Sequence, residues 1–302
     1  MASSGKTWVS PRDLAHAVDV SESSLKRWAD GGMLRVSRTA GGHRRIPLPE
    51  AIRFVRDAKL HLVRPERLGF PGIGPTSPDA PRPTGEDLED LFRKHRSREA
   101  VSLLLTAYLG GSSVVDLCDG PIRGALELVG HLYEQSDDGI AVEHAAVDAC
   151  IQTLNTIRNT LPEPESDAPV AVGGSVAGDP YILPSLAVAT LFEEVGFRVI
   201  NAGPNAPLQS LRPTIERESA RAVWRSYSIE PSRKTLVEEI AHVTELASSP
   251  ECDVVLGGRC LAGQLRTVPG VHAFSSLAEL SGFARGVLAS ASATWLHAGE
   301  AS

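Results

Sequence analysis

Two groups of side chains in this 302-residue chain have the types and spacing to do chemistry. Near the N-terminus, Ser23, Ser24, Lys26 and Arg27 fall within one turn and a half of chain. Arg38, Thr39, His43, Arg44 and Arg45 then surround the turn Ala40-Gly-Gly42, and Arg12 precedes both. Guanidinium, ammonium and hydroxyl groups interleaved in this way suit phosphates and base edges. In the C-terminal half, Asp179, Tyr181, Asn205, Ser226 and Ser228, with the pair Gly257-Gly258, each follow an apolar, β-branched run. Few polar groups converging beside apolar strands are what a small-ligand site needs. Neither group forms a catalytic constellation: there is no GxSxG, Walker-A loop or HExxH. The carboxylate pairs Asp137-Asp138 and Glu163/Glu165 sit in polar loops and read as solvated. The chain is therefore expected not to be an enzyme.

Charge separates the two groups. Residues 1–65 hold 12 Lys and Arg against 6 Asp and Glu, whereas the rest of the chain holds 18 against 31. A basic head on an acidic body confines nucleic-acid contact to the N-terminal end. The composition, 42% hydrophobic and 22% charged, is that of a globular protein, and the length allows two or three domains. No run of about 18 apolar residues and no apolar leader is present, so a cytoplasmic protein without a membrane partner is expected. Cys118, Cys150, Cys252 and Cys260 lack CxxC spacing and read as reduced core thiols rather than metal ligands.

The elements that must position the basic group are short. Ser10 caps a helix over Trp8–Ala17 with Pro11 at its first position. Ser21 caps a second over Glu22–Asp30, which Gly31-Gly32 ends. Two helices joined by a tight turn predict a helix-turn-helix whose second helix enters the major groove, with Leu25 and Trp28 facing inward. Arg38–Arg45 predicts a β-hairpin wing, and a further helix should run to about His61. Residues 1–64 are expected to form this DNA-binding domain. Residues 65–85, with Pro65, Pro71, Pro75, Pro78, Pro81 and Pro83, predict a Pro/Gly-rich linker, partly extended and with no packing face of its own.

Residues 86–162 are periodic at helical spacing. Leu88, Leu91 and Phe92 share one face, and Val101, Leu104, Leu105 and Tyr108 another; Val114–Leu132 and Ala141–Thr160 complete a four-helix bundle. From 168 to 290 the period changes. Strands at Pro169–Gly173, Arg198–Ala202, Ala222–Tyr227, Asp253–Leu256 and Val271–Phe274 alternate with helical segments, which predicts a doubly wound, Rossmann-like parallel sheet. Its ligand-facing loops would be Ser175–Pro184, Gly203–Pro207, Ser226–Ser228 and Gly257–Cys260. Residues 291–302 are expected to be a tail.

The segment Val9 to Ile46, with Ser-Ser-Leu-Lys-Arg-Trp and then Arg-Thr-Ala-Gly-Gly-His-Arg-Arg, resembles the winged helix-turn-helix of MerR-type transcription regulators. The whole chain, with a bundle and a parallel sheet behind that head, is similar to the cobalamin-binding, light-sensing repressors of carotenoid synthesis (the CarH and LitR type). Tyr133 followed by Glu143-His144 matches that family's Trp-x9-Glu-His. The resemblance implies that the aromatic covers an adenosyl group and that His144 is an axial ligand after photolysis. Ala202–Pro207 and Gly257-Gly258 resemble loops of the cobalamin-binding fold. The family's Glu/Asp-x-His-x-x-Gly motif, whose histidine ligates cobalt, reads Asp179-Pro-Tyr181-Ile-Leu-Pro184 here. Tyrosine is a poor cobalt ligand beside imidazole, and Pro184 removes an N–H.

The resemblance implies a transcription regulator that binds double-stranded DNA and self-associates as a dimer or tetramer. Its C-terminal module is left with three readings: adenosylcobalamin held with altered axial ligation, a different small molecule or regulatory protein as the signal, or a module that only supports assembly. The same bundle and sheet occur in cobalamin-dependent methyl-transfer carriers, which is the alternative from another class. That alternative requires a cobalt-ligating histidine and leaves the basic head unexplained.

Overall fold

The computed structural model describes residues 7–38, 42–133 and 138–299, in two compact units, Met1–Glu163 and Pro164–Ser302.

In the first unit, strand β1 (Trp8–Val9) leads to helix α1 (Pro11–Ala17) and, after a turn with Asp19 at φ 55°, helix α2 (Glu22–Asp30). Both caps form as the sequence predicts: the Asp13 N–H donates to Ser10 and the Ser24 N–H to Ser21. Strands β2 (Ser37–Arg38) and β3 (Arg44–Pro47) pair antiparallel, with β1 on the other edge of β3. Helix α3 (Leu48–Asp57) then crosses, and Leu14, Leu25, Leu34, Ile46, Ile52 and Phe54 are buried among these elements. Trp28 packs inward on Phe54, with ring centroids 5.4 Å apart. Helix α3 stops short of His61, because the chain turns at Lys59 with φ 50°.

Residues 65–85 are not the free linker their prolines predict. A short 3-10 turn, Pro65–Leu68, buries Pro65 and Leu68, and Phe70 is also buried. Leu62 and Thr76 form a backbone bridge, and the Val63 and Arg64 N–H groups both donate to the Ala17 carbonyl at the end of α1. Prolines removed donors the segment does not need, and three apolar side chains supplied the packing face.

The bundle consists of α4 (Gly85–Arg93), α5 (Ser97–Leu109), α6 (Val114–Leu117) with α7 (Arg123–Tyr133), and α8 (Gly139–Arg158). Neighbours around the ring are α4–α7, α7–α8, α8–α5 and α5–α4. The helix expected over 114–132 is broken by a π-helical turn at Cys118–Ile122, where Gly120 leaves helical geometry ahead of Pro121. Proline cannot donate to the preceding turn, and glycine takes up the deviation.

The second unit is a five-stranded parallel sheet: β4 (Val170–Ser175), β5 (Arg198–Asn201), β6 (Ala222–Ser226), β7 (Asp253–Gly257) and β8 (Val271–Phe274), in the order β5-β4-β6-β7-β8. Between them run α9 (Leu183–Val195), α10 (Leu208–Arg217), α11 (Arg233–Ala247) and a short α12 (Gly263–Arg266) that the sequence did not signal. The final helix, α13 (Leu277–Gly299), continues through most of the expected tail. Val172, Val223, Val254 and Leu256 form part of one core cluster with Leu211, Ile215 and Val243. Among the described residues no helix is long and apolar enough to cross a membrane. The four cysteines are free thiols, and burial pushes Cys150 up to about 12 and Cys252 to about 11, so both stay protonated near neutral pH.

Candidate functional site

The head presents most of its cations outward. On α2, Ser23, Lys26 and Arg27 are exposed, as are Arg12 at the start of α1 and Arg38, His43 and Arg45 on the hairpin. Ser24 is half-buried and its hydroxyl pairs with that of Ser21 at 3.0 Å. Thr39 lies outside the described residues. A groove between α2 and the strands has Ser23, Lys26 and Arg44 along it and Leu25, Leu34 and Ile46 at its floor. Arg44 donates to Asp30, the last residue of α2, at 2.9 Å, which ties the hairpin to that helix.

A second tie was missed by the sequence reading. Glu50 is buried on α3, where its carboxylate accepts from the Arg35 N–H at 2.7 Å and from both Nε and Nη2 of Arg53. Arg53 also donates to the Met33 carbonyl at 3.3 Å. Burial pushes the Glu50 carboxyl up, but hydrogen bonds from Arg53 and Arg35 outweigh it and hold the group below its ordinary value. Together these groups fix residues 33–35, which connect α2 to β2. The available signal was a carboxylate on the buried face of an otherwise apolar helix.

At the sheet, the crossover direction reverses between β4 and β6, and there the ligand crevice of an open α/β sheet forms. The loop after β4 is sewn shut. Asp179 is fully buried; its carboxylate accepts from the Ser228 N–H at 2.6 Å and from the Tyr181 N–H at 3.0 Å. The Ser175 hydroxyl donates to the Tyr181 carbonyl, and Asn205, at φ 48°, accepts from the Gly178 N–H. Ser226 is buried, with its carbonyl accepting from the Val176 N–H. Asp179, Tyr181, Asn205 and Ser228, expected from the sequence at the ligand-facing loops, lie in one cluster. The structure shows Asp179 and Asn205 bonded to the loops themselves. Tyr181 is 46% exposed, and the Ser228 hydroxyl is buried with no hydrogen-bond partner among the described residues. Gly257 ends β7. Gly258, at φ 122°, is a position only glycine fits, since a Cβ would lie 2.3 Å from the Tyr227 carbonyl oxygen.

Beneath this crevice the sheet is filled on both faces. Trp224 is 1% exposed, and its ring lies where a Cβ on Gly173 would be, 2.3 Å from the nearest ring carbon. Its indole N–H donates to Ser185 in the first turn of α9 at 3.2 Å, and Ser185 donates to Asn201. Phe192 packs against the indole at 5.8 Å. On the opposite face Arg225, also buried, pairs with buried Glu239 of α11 and donates to the carbonyls of Gly174 and Ala206. Tyr227 joins the pair, and burial pushes its hydroxyl well above the ordinary tyrosine range.

In the bundle, Glu143 is half-buried and His144 exposed on α8. Tyr133 closes α7, and its side chain lies outside the described residues.

No protein-family model matches the sequence, and neither does any curated protein. Among solved structures, the monomethylamine corrinoid protein of Methanosarcina barkeri superposes with a TM-score of 0.50 at 14% identity, covering 66% of this chain and 96% of that one. A cobalamin-binding protein from Desulfitobacterium hafniense DCB-2 gives 0.35 at 16% identity, over 67% and 96% of the two chains. The methanol:cobalamin methyltransferase complex MtaBC of M. barkeri gives 0.36 at 15% identity, over 67% and 78%. The fold assignment rests on the first of these alone: about two thirds of the chain has the fold of a corrinoid protein.

Proposed function

We propose that this chain is a DNA-binding transcription regulator whose C-terminal module sets its assembly state without a histidine-ligated cobalamin. Helices α1 and α2 serve as a helix-turn-helix, α2 as its recognition helix, and the β2–β3 hairpin as the wing of a MerR-type head. The observation that carries this reading is the shared exposure of Ser23, Lys26 and Arg27 on α2 and of Arg38 and Arg45 on the hairpin. Such a surface meets base edges with the helix and phosphates with the hairpin. One head is a small interface, so two or more heads of a dimer or tetramer would act on repeated half-sites. The test is binding to double-stranded DNA over a salt series. Arg45→Ala should weaken binding to every sequence and reduce the salt slope by about one. An unchanged slope removes the hairpin from the interface.

For the C-terminal module, the fold of a corrinoid protein raises cobalamin as its ligand, and the residues present do not fit that group. Tyr181 stands where the resemblance requires the cobalt-ligating histidine. The indole of Trp224 fills the space between β4, β6 and the first turn of α9, directly below the crevice. Asp179, the one matched polar residue of the motif, already accepts two backbone N–H groups. No step is therefore assigned to a corrinoid, and a small molecule or protein acting at the exposed Tyr181 edge remains the signal to seek. Purified protein mixed with adenosylcobalamin in the dark and freed of excess by gel filtration should be colourless. A retained corrin spectrum that shifts on illumination would establish the light-responsive reading instead. The methyl-carrier reading is favoured by the fold comparison and opposed by the same three residues, and a retained corrin spectrum with no DNA binding would reinstate it.

A further inference from the structure

The head carries two faces. One holds α2 and the hairpin; the other holds the end of α1 and helix α3, and this second face is attached to the bundle. Arg56 of α3 reaches the C-terminus of α5, where its guanidinium donates to the carbonyls of Tyr108 and Ser112. The same guanidinium lies 3.8 Å above the centre of the Tyr108 ring, and Tyr108 is itself buried. A cation at a helix C-terminus meets unsatisfied carbonyls and the negative end of the helix dipole, and the ring adds a cation–π contact. The strap that follows α3 repeats the attachment. It is held to the Ala17 carbonyl at one end, and a Cβ on Gly110, just past α5, would lie 3.0 Å from the Ser77 carbonyl oxygen. Further on, Arg82 pairs with Asp116 of α6 at 2.6 Å.

We infer that Arg56, stacked on Tyr108 and supported by the strap, is a joint that holds the head in one orientation on the bundle. Displacement of α5 is then carried to α3, and through the Glu50–Arg53 and Asp30–Arg44 ties to the hairpin and α2. The joint leaves Ser23, Lys26, Arg27 and Arg45 exposed, so it sets the aim of the head without covering it. This consequence rests on the DNA-binding reading, whereas the joint itself does not.

Hydrogen exchange on the full chain tests it. In the native protein the amides of Val63, Arg64 and Thr76 should exchange slowly. In Arg56→Ala they should exchange at least about tenfold faster, the scale expected from losing charged hydrogen bonds and a ring contact. Leu14 and Leu25, inside the head, should stay protected. Arg56→Lys, which keeps the charge but loses the fork and most of the stacking, should fall between the two and serves if the alanine variant does not fold. Strap amides that exchange equally in native and variant protein, or fast in the native protein, would overturn the joint. A random-sequence 30-base-pair duplex separates the two readings: Arg56→Ala should bind it with the native salt slope. Failure of the native protein to bind it sinks the DNA reading and leaves the exchange result to decide the joint.

Discussion

The head and the carboxyl edge of the sheet use their polar side chains in opposite directions. On the head, Lys26, Arg27, Arg38 and Arg45 point to water, and the internal ties are made by a different set, Asp30 with Arg44 and Glu50 with Arg53. At the sheet edge, Ser175, Asp179, Ser185, Asn201 and Asn205 bond to backbone or to one another, and Arg225 is sealed beneath them. The division of labour in the head leaves chemistry available to a partner. In the sheet the polar residues expected at the crevice are spent on building the loops. A fold shared with corrinoid proteins does not by itself assign a ligand.

The contrast predicts that substitutions at the sheet edge act on stability and those on the head act on binding. The largest effect should come from Glu239→Ala, which strands the buried Arg225 charge and should cost about 3–5 kcal/mol in the denaturant midpoint of the second unit. A loss under 1 kcal/mol would show that water reaches that pair. Trp224→Ala removes the indole from between Gly173 and Ser185 and should cost about 3–5 kcal/mol as well, at the lower end if α9 settles into the gap. Asp179→Asn keeps the size but loses charge-assisted acceptance from Ser228 and Tyr181, for about 1–3 kcal/mol. A neutral result there would reopen Asp179 as a ligand contact. By contrast, Lys26→Ala with Arg45→Ala should leave folding within about 0.5 kcal/mol while lowering the salt slope of DNA binding by about two. The smallest effect is acid sensitivity of the head. The folded Glu50 carboxyl lies below its ordinary value of 4.5, so between the two values the unfolded chain binds more protons and stability rises with pH. Its contribution is complete above 4.5 and is lost as pH falls through the lower folded value; Glu50→Gln should flatten that part of a melting profile.

Much of this was legible in the chain. Ser10, Pro11 and Ser21 announced their helices because caps act within three residues, and the alternation after residue 168 announced the parallel sheet because its period is local too. The strap was misread because six prolines signal an absence of helix, and only the tertiary position of Leu68 and Phe70 makes them a packing face. Trp224 lies within the strand expected at Ala222–Tyr227, but no local signal says which face of the sheet its ring fills. Glu50 and Arg56 escaped because their partners, Arg35 and Tyr108, are remote or lie on another element.

The Asp179 carboxylate also sets an order of events in time. Its acceptor role is completed by Ser228, 49 residues further along, and Arg225 reaches back to Gly174 over a similar distance. During synthesis the loop after β4 thus emerges long before the strand that can close it, and it waits with a buried-type carboxylate still in water. The crevice edge should be the last part of the sheet to become native, after β4, β6 and α11 have docked, and the first whose maturation slows when translation or refolding is interrupted before residue 239.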